Sequence, residues 1–380
     1  MSKTFYFVIG EESGDLLGAD LIDGFNDIKD LDAKYAGLAG PAMEQRGVSS
    51  LFDIEDIAVM GFSAVIARLP TIVRRVHQVV ADIISKRPDM IVLIDSPDFT
   101  HAVAKRVRKK LPNVPIVDYI CPSVWAWRSG RAKTMRAYID HVLAILPFEP
   151  RVLAELGGPP ATYVGHRLAG HVAALPTKKR PPSARPKLLV LPGSRRGEID
   201  RMLPAFGATV ELLRARGHDF EAVIAAVPRH RSTIERHTAT WRTAPKIVSS
   251  EDNDSTFADV DLALATSGTV ALELALHGVP MVTGYKLDAV ARPFASMVTT
   301  WSALLPNLIV DRLIVPEEIN ELVLPGRLAR HLEELFIEGP ARLRQLDGFK
   351  DVRRAMETKT PPGERAAFVI AELLRNKASR

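Results

Sequence analysis

The stretch Ala263-Leu-Ala-Thr-Ser-Gly-Thr-Val-Ala-Leu-Glu-Leu-Ala-Leu-His-Gly-Val-Pro-Met-Val-Thr-Gly-Tyr285 reads as strand, tight turn, helix, turn and strand. An apolar run from Val260 to Ala265 stops at Thr266-Ser267-Gly268-Thr269, and the helix formers Val270 to Leu276 end at Gly278, with Pro280 opening the next apolar run. Glycine just past a helix and proline soon after are stop signals. Small hydroxyl residues around Gly268 stand just ahead of the helix. Unpaired backbone N–H groups and the positive end of the helix dipole there favour an anion, phosphate above all. Thr269 and Glu273 share a helix face. A carboxylate one turn behind a phosphate repels it unless it faces neutral groups such as ribose hydroxyls. The layout suits a nucleoside diphosphate lying along the helix start. The competing reading makes Ser267 or Thr269 a plain helix cap and leaves Glu273 in solvent.

With 380 residues the chain is long for one core, and the length points to about two domains. The lone cysteine, Cys121, excludes an internal disulfide and a cysteine-based zinc cluster, and fits a reducing cytoplasm. The N-terminal run Met1 to Gly10 passes too directly into a strand for a signal peptide, and no apolar run reaches the ~18–20 residues of a spanning helix. The net charge of +5 is uneven: Lys105, Arg106, Arg108, Lys109 and Lys110 cluster, followed by Arg128, Arg131, Lys133 and Arg136. Anionic lipid or an anionic small substrate suits this better than nucleic acid, for which no module signature is present.

In the first half, strand-like runs (Phe5–Ile9, Ala33–Leu38, Met90–Ile94, Pro115–Tyr119, Val142–Leu146) alternate with helical ones, which predicts a parallel sheet covered on both faces. Ligands of such sheets bind beyond the C-terminal strand ends, so the loops there are the candidates. The loop Gly10-Glu11-Glu12-Ser13-Gly14-Asp15 is not the dinucleotide fingerprint; its carboxylates suit hydroxyl-rich or cationic ligands. Asp95 and Asp98, in Ile94-Asp-Ser-Pro-Asp-Phe99, are placed to act as a general base on a substrate hydroxyl. Their spacing does not match the tight acid-x-acid pattern for a nucleotide-bound metal, so no metal is expected; a helix cap at Asp98 is the competing reading. In Cys121-Pro-Ser-Val-Trp-Ala-Trp-Arg128, Trp125 is read as stacking on a sugar and Arg128 as reaching a phosphate, against a hydrophobic plug. The apolar segment Val59–Leu69, with basic residues behind it, reads as an interfacial segment or as a helix hairpin on the sheet.

Prolines and cations from Leu175 to Pro186 mark a linker. The expected division is residues 1–166, a linker over 167–186, a second domain over 187–360 and a closing helix over 361–380. In the second half, strands are expected at Lys187–Leu191, Phe220–Ala226, Lys246–Val248, Asp261–Ala265 and Met281–Gly284, and helical segments at Glu317–Glu321, Gly326–Phe336, Ala341–Thr358 and Glu364–Lys377. Ser194 and Arg195, in Leu191-Pro-Gly-Ser-Arg-Arg196, form a second anion site that would bracket a diphosphate with Ser267, Gly268 and Thr269 without a metal. The predicted fold class is α/β, two Rossmann-like domains facing a cleft, as in the GT-B fold.

Eight motifs occur in register with one family: Gly10-Glu-x-Ser-Gly-Asp-x-x-Gly-Ala19, Asp95-x-Pro-Asp-Phe99, Pro122-Ser-Val-Trp-Ala-Trp127, Leu146-Pro-Phe-Glu149, Val164-Gly-His166, Leu191-Pro-Gly-Ser-Arg195, Ser267-Gly-Thr-x-x-Leu-Glu273 and Pro306-Asn-Leu308. The chain resembles the lipid-A-disaccharide synthase family over essentially its whole length. That resemblance implies an inverting GT-B glycosyltransferase without a cofactor. Its substrates would be UDP-2,3-diacylglucosamine and 2,3-diacylglucosamine 1-phosphate, and its products a β-1,6-linked disaccharide phosphate and UDP. It further implies a cytoplasmic protein held peripherally on the inner membrane; a homodimer is left open. Asp98 matches the family's suspected base, with Asp95 and Glu11 as alternatives sharing that role. Arg195, Thr269, Glu273 and Asn307 fall in nucleotide-contacting segments, and Glu11 and Ser13 in the acceptor-side motif. Ala64, Arg167 and Asn320 stand where the family usually has Glu, Pro and Gln. The rival readings are a UDP-N-acetylglucosamine 2-epimerase or other GT-B enzyme with soluble substrates, and a non-catalytic nucleotide-binding adaptor at the membrane surface.

Overall fold

Two strands carry runs of apolar residues without polar alternation, Met90-Ile-Val-Leu-Ile94 and Leu262-Ala-Leu-Ala-Thr266, and every residue of both is buried. Such strands fit only the middle of a parallel sheet covered on both faces. The computed structural model describes residues 2–57, 62–173, 183, 185–288 and 292–378, with backbone alone at 62–67, 171–173, 294–296 and 377–378. The chain divides into a first unit, residues 1–170 with 357–380, and a second unit, residues 171–356.

In the first unit, β1 (Lys3–Ile9), β2 (Ala33–Leu38), β3 (Met90–Ile94), β4 (Ile116–Tyr119), β5 (His141–Ala144) and β6 (Ala161–Tyr163) form one sheet in the order β2-β1-β3-β4-β5-β6. All its pairs are parallel. The chain builds outward from β1 to β2, then returns to place β3 on the other side of β1. In the second unit, β7 (Lys187–Leu191), β8 (Glu221–Ala226), β9 (Lys246–Ser249), β10 (Leu262–Thr266), β11 (Met281–Tyr285) and β12 (Glu317–Ile319) form the order β12-β11-β10-β7-β8-β9, again all parallel. Here the reversal falls between β7 and β10. These reversals are the topological switch points at which open α/β sheets bind ligands.

Two strands differ from the expectation. β6 and β12 are three-residue edge strands, too short to carry a period, and β12 occupies the start of Glu317–Glu321, expected as a helix. Parallel pairing of Thr283–Tyr285 with Glu317–Ile319 overrides the helix propensity of the two glutamates. The next residue, Asn320, has φ 53°, a left-handed conformation that asparagine tolerates. Its side chain accepts a hydrogen bond from Leu287 N at 2.9 Å, tying the turn to the end of β11. The departure at Asn320 thus has a structural use.

The helix Pro362–Ala378 belongs to the first unit although 186 residues of the second unit separate it from that unit's sheet. It lies on the helix Glu12–Asn26, burying Ala366, Ala367, Ile370 and Ala371, while Arg365 Nε donates to Tyr163 O of β6 at 3.0 Å. Arg167 pairs with Asp20 at 3.2 Å, a use for the residue that replaces the family's proline. In the second unit the helix Pro340–Met356 is held by polar side chains. Gln345 exchanges two hydrogen bonds with the backbone of Met281, and the fully buried Arg342 donates to Leu335 O and Asp261 O. The linker residues 174–182 and 184, and most of the Val59–Leu69 segment with Ala64, lie outside the described residues or have no described side chains; 62–67 form the start of the helix Phe62–Lys86.

Truncating Ile370 to alanine is expected to destabilise the first unit by about 2–4 kcal/mol. Hydrogen exchange would show lost protection in peptides of β1 and Glu12–Asn26, with β7 and β10 unchanged.

Candidate active site

The first cluster stands at the β1/β3 switch point. The turn after β3 holds both Asp95 (φ 59°) and Ser96 (φ 43°) in the left-handed region, a conformation costly for residues with a Cβ. It is pinned on several sides. Ser96 N donates to Asp95 Oδ1 at 2.7 Å, Ser13 Oγ donates to Asp95 Oδ2 at 3.2 Å, and Ser96 Oγ donates to Glu11 Oε1 at 3.3 Å. Thr100 Oγ1 donates to Asp95 O at 3.0 Å. Gly10 makes this possible, since a Cβ there would fall 2.2 Å from Ser96 Cβ. Asp15 of the same motif is buried and accepts N–H bonds from Gly40, Ala42 and Met43, which makes it a backbone anchor.

The three candidate carboxylates are therefore not equivalent. Both oxygens of Asp95 are engaged in shaping the turn, and Glu11 is bonded across it. Asp98, in the first turn of the helix Pro97–Lys110, has a side chain 92 % exposed, with Arg131 Nη2 at 3.4 Å from Oδ1. Arg131 also donates to Pro97 O at 3.0 Å. One turn along the same helix, buried His101 sits with Nε2 2.8 Å from Asp118 Oδ2 and Nδ1 3.3 Å from the Tyr138 hydroxyl. That polar lock, which sequence reasoning missed, holds the helix against β4. Several members of the basic cluster are structural. Arg108 donates to Pro112 O and Val114 O and pairs with Asp140, and Lys105 stacks over Tyr138.

The tryptophan loop follows β4. Trp125 is half-buried; its indole N–H donates to Glu149 Oε1 at 3.2 Å and its ring meets Phe148 edge-on. The more open ring is Trp127, 40 % exposed, with Arg128 stacked over it at 4.2 Å. Glu149 is buried, and Leu146 N donates to its other oxygen at 3.0 Å. Burial pushes its carboxyl up to about 7 against the pull of these N–H donors. Glu149 closes the Leu146-Pro-Phe-Glu149 motif, and only tertiary packing brings it under Trp125.

The second cluster stands at the β7/β10 switch point and lines a cavity of about 370 Å³. Ser194, Arg195, Ser267, Gly268, Thr269 and Glu273, all singled out from sequence, lie on its wall with Ser250 and Asn253, which were not. Gly268 has φ 154° and ψ −168°, a region essentially reserved for glycine, and it opens the helix Thr269–Leu276. The β7 turn is partly filled from within: Glu198 Oε2 accepts from Ser194 N and Arg195 N, while Oε1 pairs with Arg195 Nη1 at 2.8 Å. Two N–H groups expected to face an anion are thus held by the protein's own carboxylate. The Arg195 side chain, 63 % exposed, and the helix start at Thr269 remain as the cationic elements. Glu273 is partly buried, and burial raises its carboxyl above the usual range, with Asn253 and His277 opposing. His277 is fixed between Asp254 and Glu273 O.

Asn307 is fully buried and is not among the residues that line this cavity: Oδ1 accepts from Ile314 N and Val315 N, and Nδ2 donates to Ser302 Oγ and Val315 O. Its amide orders the segment around Leu305–Ile309.

Two outcomes test these assignments. Gly268→Ala strains the turn by about 1–3 kcal/mol, so nucleotide affinity measured by calorimetry is expected to fall roughly ten-fold with the fold retained. Glu149 titrates higher folded than unfolded, so its contribution to stability is complete below the ordinary carboxylate value and is lost as pH rises through about 7. Between about pH 5 and about pH 8 the unfolding midpoint of Glu149→Gln is expected to decline less than that of the wild type.

The model of the family described as lipid-A-disaccharide synthetase matches residues 5–365. Among curated relatives, the lipid-A-disaccharide synthase of Nitrobacter winogradskyi is 43 % identical over 100 % of this chain and 98 % of its own length. That of Rhodospirillum centenum is 37 % identical over 97 % and 94 %. Among solved structures, S. aureus MnaA with UDP superposes with TM-score 0.63 at 13 % identity, covering 98 % of this chain and 97 % of that one. The calicheamicin glycosyltransferase CalG4 gives TM-score 0.57 at 15 % identity, covering 98 % of each. These structural likenesses establish the GT-B fold shared by glycosyltransferases and epimerases. The sequence matches decide between those groups: the chain belongs to the lipid-A-disaccharide synthetase family of glycosyltransferases.

Proposed function

We propose that this chain transfers 2,3-diacylglucosamine from its UDP derivative to 2,3-diacylglucosamine 1-phosphate, giving the β-1,6-linked disaccharide 1-phosphate and UDP. The observation that carries this reading is the family match over residues 5–365, which takes in both sets of strand-end loops. The acceptor 6-hydroxyl attacks the anomeric carbon as the bond from that carbon to the UDP oxygen breaks, and the configuration inverts. Asp98 takes the hydroxyl proton, because its carboxylate projects from the start of its helix with a side chain 92 % exposed, while Asp95 and Glu11 bond across the turn. Arg131 orients Asp98 through its second hold on Pro97 O. Charge developing on the departing diphosphate is met by Arg195 and the helix start at Thr269, with Ser194, Ser267 and Gly268 shaping the site. Glu273 accepts from the ribose hydroxyls. Trp125 and Arg128, with Ser13, belong to the acceptor side.

Both substrates carry acyl chains, so the reaction belongs at a membrane surface, and the cytoplasmic face of the inner membrane is the proposed place. Among the described residues no helix is long and apolar enough to cross a bilayer, which fits peripheral attachment. The transfer assay in detergent with excess EDTA is the test. Wild type is expected to form disaccharide regardless of EDTA, and Asp98→Asn to lose about 10²–10⁴-fold in kcat while binding UDP as before. Full turnover by Asp98→Asn would remove Asp98 from the base role. Conversion of plain UDP-N-acetylglucosamine without disaccharide would favour an epimerase.

A further inference from the structure

The C-terminal edge of the second sheet bears apolar side chains that its packing does not use. In the segment after β11, Met297 is 43 % exposed, Val298 50 % and Trp301 53 %; after β12, Leu322 is 49 % and Leu324 51 % exposed. An ion pair between Arg292 and Glu321 ties the two segments together. Monomeric proteins rarely leave several large apolar side chains together in water without a use for them.

Their position relates them to the Ser267–Thr269 turn. β11 neighbours β10, whose end carries the Ser267–Thr269 turn, and Ser267 Oγ donates to Ala303 O at 3.3 Å. Ala303 N is held by the Glu317 carboxylate, and Ser302 Oγ donates to that same carboxylate at 2.9 Å. Leu304 is fully buried, so the segment is anchored immediately after its exposed part. Trp301 is two residues from Ala303 and so stands at most ~7 Å of chain from a residue bonded to the Ser267–Thr269 turn.

We infer that Met297, Val298 and Trp301 form an apolar rim of the nucleotide cavity that receives the acyl chains of the sugar-nucleotide donor. This rests on the reaction proposed above. The acyl chains are the donor's apolar parts, and they branch from the sugar that the diphosphate carries, so a nucleotide bound at Ser267–Thr269 delivers them to this edge. An apolar rim would make acylated donors bind more tightly than UDP alone, separating this donor site from one built for an unacylated sugar nucleotide.

The test uses UDP-2,3-dihexanoylglucosamine, short enough to stay monomeric without detergent, beside UDP. In calorimetry, the double variant Val298→Ser, Trp301→Ser is expected to bind UDP as wild type does and to bind the acylated donor about ten-fold more weakly. An independent readout needs no polar variant: 6-bromohexanoyl chains on the donor should quench tryptophan emission in wild type and much less in Trp301→Phe. Equal acylated-donor affinity in wild type and double variant, or quenching unchanged in Trp301→Phe, overturns the inference. So does a defect confined to vesicle sedimentation, which would assign the rim to the bilayer, or one confined to sedimentation velocity, which would assign it to a second copy. Disaccharide formation by wild type separates the two levels. Its absence removes the reaction on which the rim depends, whereas product formation with donor binding unchanged in the variant removes the rim alone.

Discussion

The reversal of strand order between β1 and β3, and between β7 and β10, is the constraint on which the chemistry of this chain depends. Where two adjacent parallel strands send their connections in opposite directions, a crevice opens beyond their C-terminal ends, and loops distant in sequence meet there. In the first unit this joins Gly10–Ser13 to Asp95–Asp98, so tightly that the space a Gly10 Cβ would need is filled by Ser96. In the second it joins Gly193–Arg195 to Ser267–Thr269 around the cavity. Left-handed Asp95 and Ser96 are conformations that go with this crowding and that side-chain hydrogen bonds help to hold, whereas at Gly268 the backbone angle alone calls for glycine, since a Cβ there would meet open space.

Both sites use carboxylates to hold their own backbone. Asp15 collects three N–H groups, Asp95 closes on Ser96 N, and Glu198 takes two N–H groups of the β7 turn. A buried backbone donor must find a partner, and a carboxylate packed against it is an effective one. The consequence is a division of labour that residue type does not reveal. Asp95 and Asp98 are chemically identical, yet one shapes the turn and the other projects from the helix it begins. Glu198 likewise reduces the number of N–H groups at the β7 turn that face the cavity, leaving more of an anion's charge to Arg195 and the Thr269 helix.

Polar locks place the elements that carry these loops. His101 between Asp118 and Tyr138 holds the Asp98 helix on β4, Glu149 holds the Trp125 loop on the segment after β5, and Arg342 with Gln345 fastens the Pro340–Met356 helix beneath β10 and β11. Each is bonded to specific partners, which is what makes burying such groups tolerable. Apolar packing selects no single rotation of a helix as sharply as a bonded histidine or arginine does.

By itself, the sequence determined the alternation of central strands and helices, both strand-end anion and acid motifs, and the family. Those signals are local: apolar runs of strand length, glycine and proline punctuation, and motifs a few residues long that name a turn and the chemistry it offers. Tertiary structure alone decided the short edge strands β6 and β12, the return of the Pro362–Ala378 helix to the first unit, and the burial of Asn307. Three-residue strands have no period to read, and a helix does not announce which sheet it covers. It also decided that Glu149 underlies Trp125, that Asn253 joins the cavity wall and that Met297, Val298 and Trp301 remain exposed. Burial, and hydrogen bonding between residues far apart in sequence, are properties of the packed chain, and they turn a list of acids, amides and aromatics into separate structural and chemical roles.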